Sequence, residues 1–213
     1  MWFCVPRTCP KRAEIVDVSG VGCVWLHQKH LTISRASSAG HKTTCPPPVR
    51  YNIFMKILGI DPGYDRLGIA VMEKPLRGKE ILLYSSCLQT SPKNDIYTRF
   101  KKIGGKVKEV IEEFKPDALA IETLFITKNQ KTAMRVSEAR GIIIYEALNA
   151  GVPVFEYTPM QIKVAVTSDG NSDKERITKM IPLLIEMPKK ITKDDEYDAI
   201  AVALTHGACI KDR

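Results

Sequence analysis

Five short apolar runs, and the unequal spacing between them, constrain this chain more than any other feature. KILGI (56–60), LGIAVME (67–73) and EILLYSSCL (80–88) follow one another closely, separated by Asp61-Pro62-Gly63 and by Pro75 with Gly78. Short, turn-rich connections join antiparallel neighbours, so these three runs read as a meander. The other two runs, DALAIE (117–122) and VPVFEY (152–157), each follow a long helical stretch. In the first stretch, 95–114, Ile96, Phe100, Ile103, Val107, Val110 and Phe114 recur at spacings of three and four, and Pro116 ends the helix. The second stretch, 129–151, closes on Gly151 in the C′ position. Crossovers of this kind join parallel strands. Shorter helices are expected over 159–167 and 173–185, the latter interrupted by Pro182. A last helix over 194–208 carries acidic residues in its first turn, as the helix dipole prefers. The pattern predicts an α/β fold: a five-stranded mixed sheet, three antiparallel strands then parallel crossovers, with helices on both faces.

That pattern starts at Met55. Residues 1–54 hold seven Lys/Arg against two Asp/Glu, four of the six cysteines, both tryptophans and three of the four histidines. Their apolar residues keep no sustained period. A zinc site needs ligands at tight spacings, which Cys4 and Cys9 followed by scattered Cys and His supply poorly. A transit peptide would be basic and Ser-rich, as this segment partly is, but would need a convincing amphipathic helix. The favoured reading is a disordered tail or spurious upstream sequence, with the working domain at 55–213. The net charge of +8 favours a polyanionic partner. Since most of the excess lies in 1–54, any nucleic-acid surface of 55–213 has to be a local patch. No apolar run approaches the roughly 18 residues needed to span a bilayer, so no membrane partner is expected. Cys87 and Cys209 suggest no disulfide framework, which fits a reducing cytoplasm.

The acidic residues carry the chemistry. Asp61 ends the first apolar run and Glu122 the fourth. If those two strands lie side by side and parallel, both carboxylates reach the rim where open α/β sheets bind ligands. Asp195 and Asp198 are three apart on the last helix and share a face. Four converging carboxylates repel one another unless a hard divalent cation binds them, and two such ions form the clamp used for phosphoryl transfer. Taken singly, a D-x-x-D at a helix start is more often dipole complement, and an Asp before Pro-Gly is often a turn initiator. Spacing alone leaves the metal site and these readings both open. Asp65, Asp117 and Asp194 read as turn, loop and cap residues, with Asp194 the substitute for Asp195 as ligand. His206 lies roughly 16 Å along the helix from Asp195, too far to share an ion, and reads as a packed or dipole-facing histidine.

ILGIDPG (57–63), AIETLFITKN (120–129), EARG (138–141), VFEYTPMQIK (154–163) and DEYDAIAVALTH (195–206) occur in that order. Together they resemble the bacterial RuvC-type Holliday-junction resolvases, from Met55 to about Ala208. The resemblance implies a ribonuclease H-like fold and a homodimer that nicks four-way DNA junctions symmetrically, in homologous recombination and DNA repair. It implies Mg2+, two ions per active site with Mn2+ able to substitute, a branch-migration helicase complex as partner, and a cytoplasmic location. The metal-binding acids fall on Asp61, Glu122, Asp195 and Asp198, and the catalytic lysines on Lys163 and Lys174. DNA contacts fall on Phe125, Lys128, Arg140, Lys163 and Lys174. Phe125, past the strand end in a Thr/Lys/Asn-rich segment, fits base stacking better than a core position. Each lysine, taken alone, would more often be solvated. The stripe Ala133, Val136, Ala139 and Ile143, with Gly141 allowing close approach, fits a dimer seam, and packing on the sheet would give the same stripe.

Two departures stand out. VTSDGNSDK (166–174) replaces the family's first loop glycine with Ser168 and adds Asp169 and Asp173. RLGIAV (66–71) stands where the family often has Thr-Gly, and is also similar to small nucleases that process ribosomal RNA precursors. That related activity is the alternative function, although such chains are shorter and lack the ETLFITKN and EARG segments. An actin-like sugar or acetate kinase would need a second GIDxG-like hairpin, which is absent. A catalytically dead junction binder is disfavoured because all four acids are in place.

Overall fold

The structure is a computed structural model that describes residues 14–16, 23–27, 30–34, 54–124, 130–188 and 191–210. The chain divides into two units, residues 1–53 and 54–213. In the first, β1 (Glu14–Val16), β2 (Cys23–His27) and β3 (His30–Ser34) form an antiparallel sheet in the order β1-β2-β3.

The second unit begins with β4 (Phe54–Asp61), β5 (Arg66–Pro75) and β6 (Glu80–Gln89), the expected meander. Then come α1 (Ile96–Phe114), β7 (Ala118–Glu122), α2 (Gln130–Asn149) and β8 (Val154–Tyr157). The chain ends in α3 (Pro159–Thr167), α4 (Lys174–Leu184), β9 (Ile185–Glu186) and α5 (Asp194–Cys209). The sheet order is β8-β7-β4-β5-β6-β9, with β7 parallel to both β4 and β8. The expected five strands become six. Ile185, placed at the end of a helix from sequence, and Glu186 after it instead pair in parallel with Glu80 and Ile81. Two residues are too few to show a period of two, so the pattern could not reveal them.

Strand alternation builds two cores. Leu58 and Ile60 of β4, Leu67, Ile69 and Val71 of β5, and Leu119 and Ile121 of β7 face α1 and α2. Ile57 of β4, Ala70 and Met72 of β5, and Ala120 of β7 face α3, α4 and α5. Fully burying a Leu or Ile side chain is worth roughly 1.5–3 kcal/mol, so both layers contribute to stability. α1 is capped by Asp95, whose carboxylate accepts from Thr98 N at 3.0 Å, and it buries Phe100, Ile103, Val107 and Val110.

Asp65, read from sequence as a turn residue, also has a partner. It pairs with the buried Arg99 of α1, whose Nε donates to Thr90 Oγ1 at 2.8 Å. This bond set ties the β4–β5 hairpin to α1.

The α2 stripe resolves in favour of the core. Ala139 and Ile143 are fully buried in the core and Ala133 is nearly so, so of the seam expected on Ala133, Val136, Ala139 and Ile143 only the half-buried Val136 reaches the surface. The outward face of α2 instead exposes Met134 (66%), Tyr145 (63%) and Leu148 (60%) around Gly141. His206 is packed, as one of its two readings had it: its Nδ1 lies 2.7 Å from the Tyr157 hydroxyl, and burial holds its pKa below the usual value. Among the described residues, no helix is long and apolar enough to cross a membrane.

Candidate active site

Asp61 and Glu122 end adjacent parallel strands paired at Ile60↔Ile121, so the two acids stand level at one edge of the sheet. Both follow the parity of Gly59 and Ala120, which puts them on the face covered by α5. Register then assembles the rest. Asp61 pairs across β5 with Gly68, and Gly68 pairs across β6 with Cys87.

Gly68 is the gap in that row, and α5 fills it. A Cβ on Gly68 would lie 2.1 Å from the Asp195 carbonyl oxygen, and one on Gly59 would lie 2.3 Å from that of Ala199. Only glycine lets the first two turns of α5 sit directly on the strand backbones. That contact delivers Asp195 and Asp198 to the edge where Asp61 and Glu122 wait.

The electrostatics report the convergence. The Asp61 pKa is pushed up to about 7, first by burial and then by Asp198, Glu122 and Asp195, with Lys174 opposing. Burial followed by Asp198 raises Glu122. Asp198 is raised mainly by burial, although Lys174 Nζ donates to its Oδ2 at 2.8 Å. Asp194 lies further from that ammonium, at 3.8 Å.

A cleft of about 260 Å³ opens beside these acids, lined by Glu122, Pro159, Ile162, Lys163, Lys174, Ile177, Asp198 and Ala201. Both predicted lysines therefore border it. Asp198 and Glu122 supply the negative wall, and α3 and α4 supply the positive one.

The donor set fits a hard divalent cation. It offers oxygen ligands only, and the repulsion that lifts Asp61 is the kind a dication relieves. As they stand, no three His, Cys, Asp or Glu side chains among the described residues close tightly enough to enclose an ion. Two of the acids already carry a cation: Lys174 pairs with Asp198, and Arg66 with Asp195.

Other predicted residues are distributed differently. Phe125 and Lys128 lie outside the described residues. Arg140 sits behind the site: its Nε donates to the Glu122 carbonyl at 3.2 Å and its guanidinium pairs with Glu156 at 2.6 Å. The two added acids of the altered loop are structural. Asp173 caps α4 by accepting from Arg176 N at 2.8 Å, and Asp169 pairs with Arg176 at 3.2 Å.

Sequence reasoning missed three neighbours of the acids. Arg66 pairs with Asp195 Oδ2, and Cys87 Sγ donates to the same oxygen at 3.3 Å. Glu196 is buried and accepts from Ser85 Oγ at 2.6 Å, which fastens the first turn of α5 to β6. Their signal was the parity of β5 and β6, legible only once the register was known.

The comparisons with known proteins agree with this geometry. The sequence model described as "Crossover junction endodeoxyribonuclease RuvC" matches residues 57–206. The protein of that name from Petrotoga mobilis is 41% identical over 153 residues, covering 72% of this chain and 93% of the relative. The one from Thermosipho melanesiensis is 43% identical over 150 residues, covering 70% of this chain and 94% of the relative. Thermus thermophilus RuvC superposes with a TM-score of 0.67 at 35% identity, covering 72% of this chain and 94% of that one. The same protein solved with a Holliday junction substrate gives 0.67 at 35%, covering 71% and 92%. The expected ribonuclease H-like architecture is thereby shown, with six strands in place of five. RuvC nucleases are metal-dependent, in keeping with the acidic donor set. The chain belongs to the RuvC family of crossover junction endodeoxyribonucleases.

Proposed function

We propose that this protein resolves four-way DNA junctions by paired, symmetric nicks, in homologous recombination and DNA repair. One observation carries the reading: Asp61, Glu122, Asp195 and Asp198 come to one rim of the sheet in a chain of this family. The ribosomal-RNA alternative is not favoured, because the relatives and the structural match are resolvases.

The four carboxylates are the metal ligands, and Mg2+ is the metal, two ions per site with Mn2+ able to substitute. Bound there, the ions supply Lewis-acid chemistry for phosphodiester hydrolysis. The chain's own residues do the binding and orientation. Lys163 and Lys174, on the opposite wall of the cleft, hold the phosphate and stabilise negative charge that develops on it. Phe125 stacks on bases near the crossover, and Lys128 contacts the backbone beside it. Arg140 of α2 contacts DNA beside the end of β7, which it also steadies through the Glu122 carbonyl.

Symmetric nicking requires two sites, so the working form is a homodimer. Its seam is the outward face of α2, where Met134, Tyr145 and Leu148 are exposed. A branch-migration helicase complex supplies the junction, and the reaction belongs to the cytoplasm.

The test is cleavage of a mobile four-way junction by the 213-residue chain in magnesium, with cuts mapped on all four strands. Paired, symmetry-related nicks support the reading. Equal cleavage of a linear duplex would overturn it.

A further inference from the structure

Arg66 opens β5 on the parity of Gly68 and Ala70, so it points to the same face as Asp61 and extends the active-site row to the rim. Its guanidinium pairs with Asp195 Oδ2, and the Cys87 thiol donates to that same oxygen at 3.3 Å. Asp195 is thus gripped from two strands, β5 and β6, while its own helix packs on the glycine gap in β5. Both donors engage Oδ2, so the other carboxylate oxygen is the one left for a ligand. The two grips differ in kind. The Asp195 side chain is 17% exposed, whereas Arg66 is 51% exposed, so the arginine can be exchanged without disturbing a packed interior. Lys174 stands in the equivalent relation to Asp198, and the pair of acids on α5 therefore carries a matched pair of cations.

We infer that Arg66 is a positioning residue for the cleavage reaction: with Cys87 it holds Asp195 by one oxygen, fixing the orientation in which that carboxylate meets a metal ion. The inference rests on Asp195 being a ligand. A cation in contact with a ligand acts in two opposing directions. Its charge weakens attraction of a dication to the site, and its hydrogen bonds orient the carboxylate. Removing it should therefore strengthen metal binding and slow the chemical step, a combination that simple loss of structure does not produce.

The experiment compares the wild-type chain with Arg66→Ala, Arg66→Lys, Cys87→Ala and Asp195→Asn. Calorimetric titration with magnesium chloride gives affinity, and single-turnover junction cleavage at saturating magnesium gives the rate. Arg66→Ala should bind magnesium about threefold more tightly, from loss of one adjacent charge. Its cleavage rate should fall about tenfold, from loss of orientation. Arg66→Lys should restore the affinity fully and the rate in part, and Cys87→Ala should slow cleavage without changing affinity. Unchanged affinity with weaker junction binding would overturn the inference and make Arg66 a DNA contact. Parallel loss of rate, affinity and Tm, without rescue by lysine, would overturn it in favour of a structural role. Unchanged affinity in Asp195→Asn would remove the ligand assignment itself, which separates that failure from the failure of the role given to Arg66.

Discussion

Asp61 shows how much one side chain depends on its surroundings. In sequence it is an acid before Pro-Gly, and nothing local separates a turn initiator from a ligand. In the folded protein its pKa stands at about 7 against an ordinary 3.8, because burial and three carboxylates oppose its charge. An acid whose folded pKa is raised binds its proton more tightly when folded. The destabilisation is therefore absent below pH 3.8, grows as pH rises, and is complete above about 7. A shift of that size costs the folded state about 4 kcal/mol. In chelator, the chain should melt at progressively lower temperature from pH 5 to pH 8, relative to Asp61→Asn. His206, Glu122 and Asp198 also titrate with folding and are common to both proteins, so the difference reports Asp61 together with its repulsion of the neighbouring carboxylates. A pH-independent difference in Tm would refute the assigned coupling. For catalysis, Asp61→Asn, Glu122→Gln and Asp198→Asn should each lower cleavage by about a thousandfold or more while gel shifts still show junction binding. If binding disappears as well, the acids hold the fold and not the metal.

At the scale of elements, the candidate active site is a packing event between α5 and the β4–β5 hairpin. Gly59 and Gly68 set its distance, so Gly68→Ala should push α5 off the sheet. Overpacking of this kind costs about 1–3 kcal/mol, and both Tm and magnesium affinity should fall together. Wild-type affinity in a folded Gly68→Ala protein would show that α5 does not need this contact to place Asp195. The loop between α3 and α4 gives the opposite case. Ser168 is the C-cap of α3 with φ 61°, a left-handed conformation that suits glycine, the residue the family pattern has there. Ser168→Gly should stabilise the chain by about 1 kcal/mol in urea unfolding. The extra acids of this loop need no functional explanation, since one caps α4 and the other pairs with Arg176. Short elements were the hard ones to read. β9 has only two residues, whereas α4 runs through Pro182 to Leu184, one residue short of the expected end.

At the scale of the whole molecule, the sheet separates two tasks. The face under α5 builds the candidate site, and on the other face α2 turns Met134, Tyr145 and Leu148 outward, the seam proposed for a second copy. Tyr145→Glu with Leu148→Glu should yield a monomer in sedimentation, and the remaining nicks should lose their pairing; a stable dimer would move the seam elsewhere. Deleting residues 1–53 should leave junction cleavage unchanged, and a large drop would give that unit a role. The sequence alone determined the order and kind of the main elements of residues 54–210, because period and turn chemistry are local properties of neighbours. It also offered the four acids as candidates, because each sits at the end of an apolar run or on one helical face, but it left their roles open. Only the tertiary structure decided which cations stand beside them. Arg66 and Cys87 reach Asp195 through strand register, and Glu196 reaches Ser85 through a helix laid across a sheet. Contacts between residues far apart in the chain depend on how elements pack, and no local pattern records that.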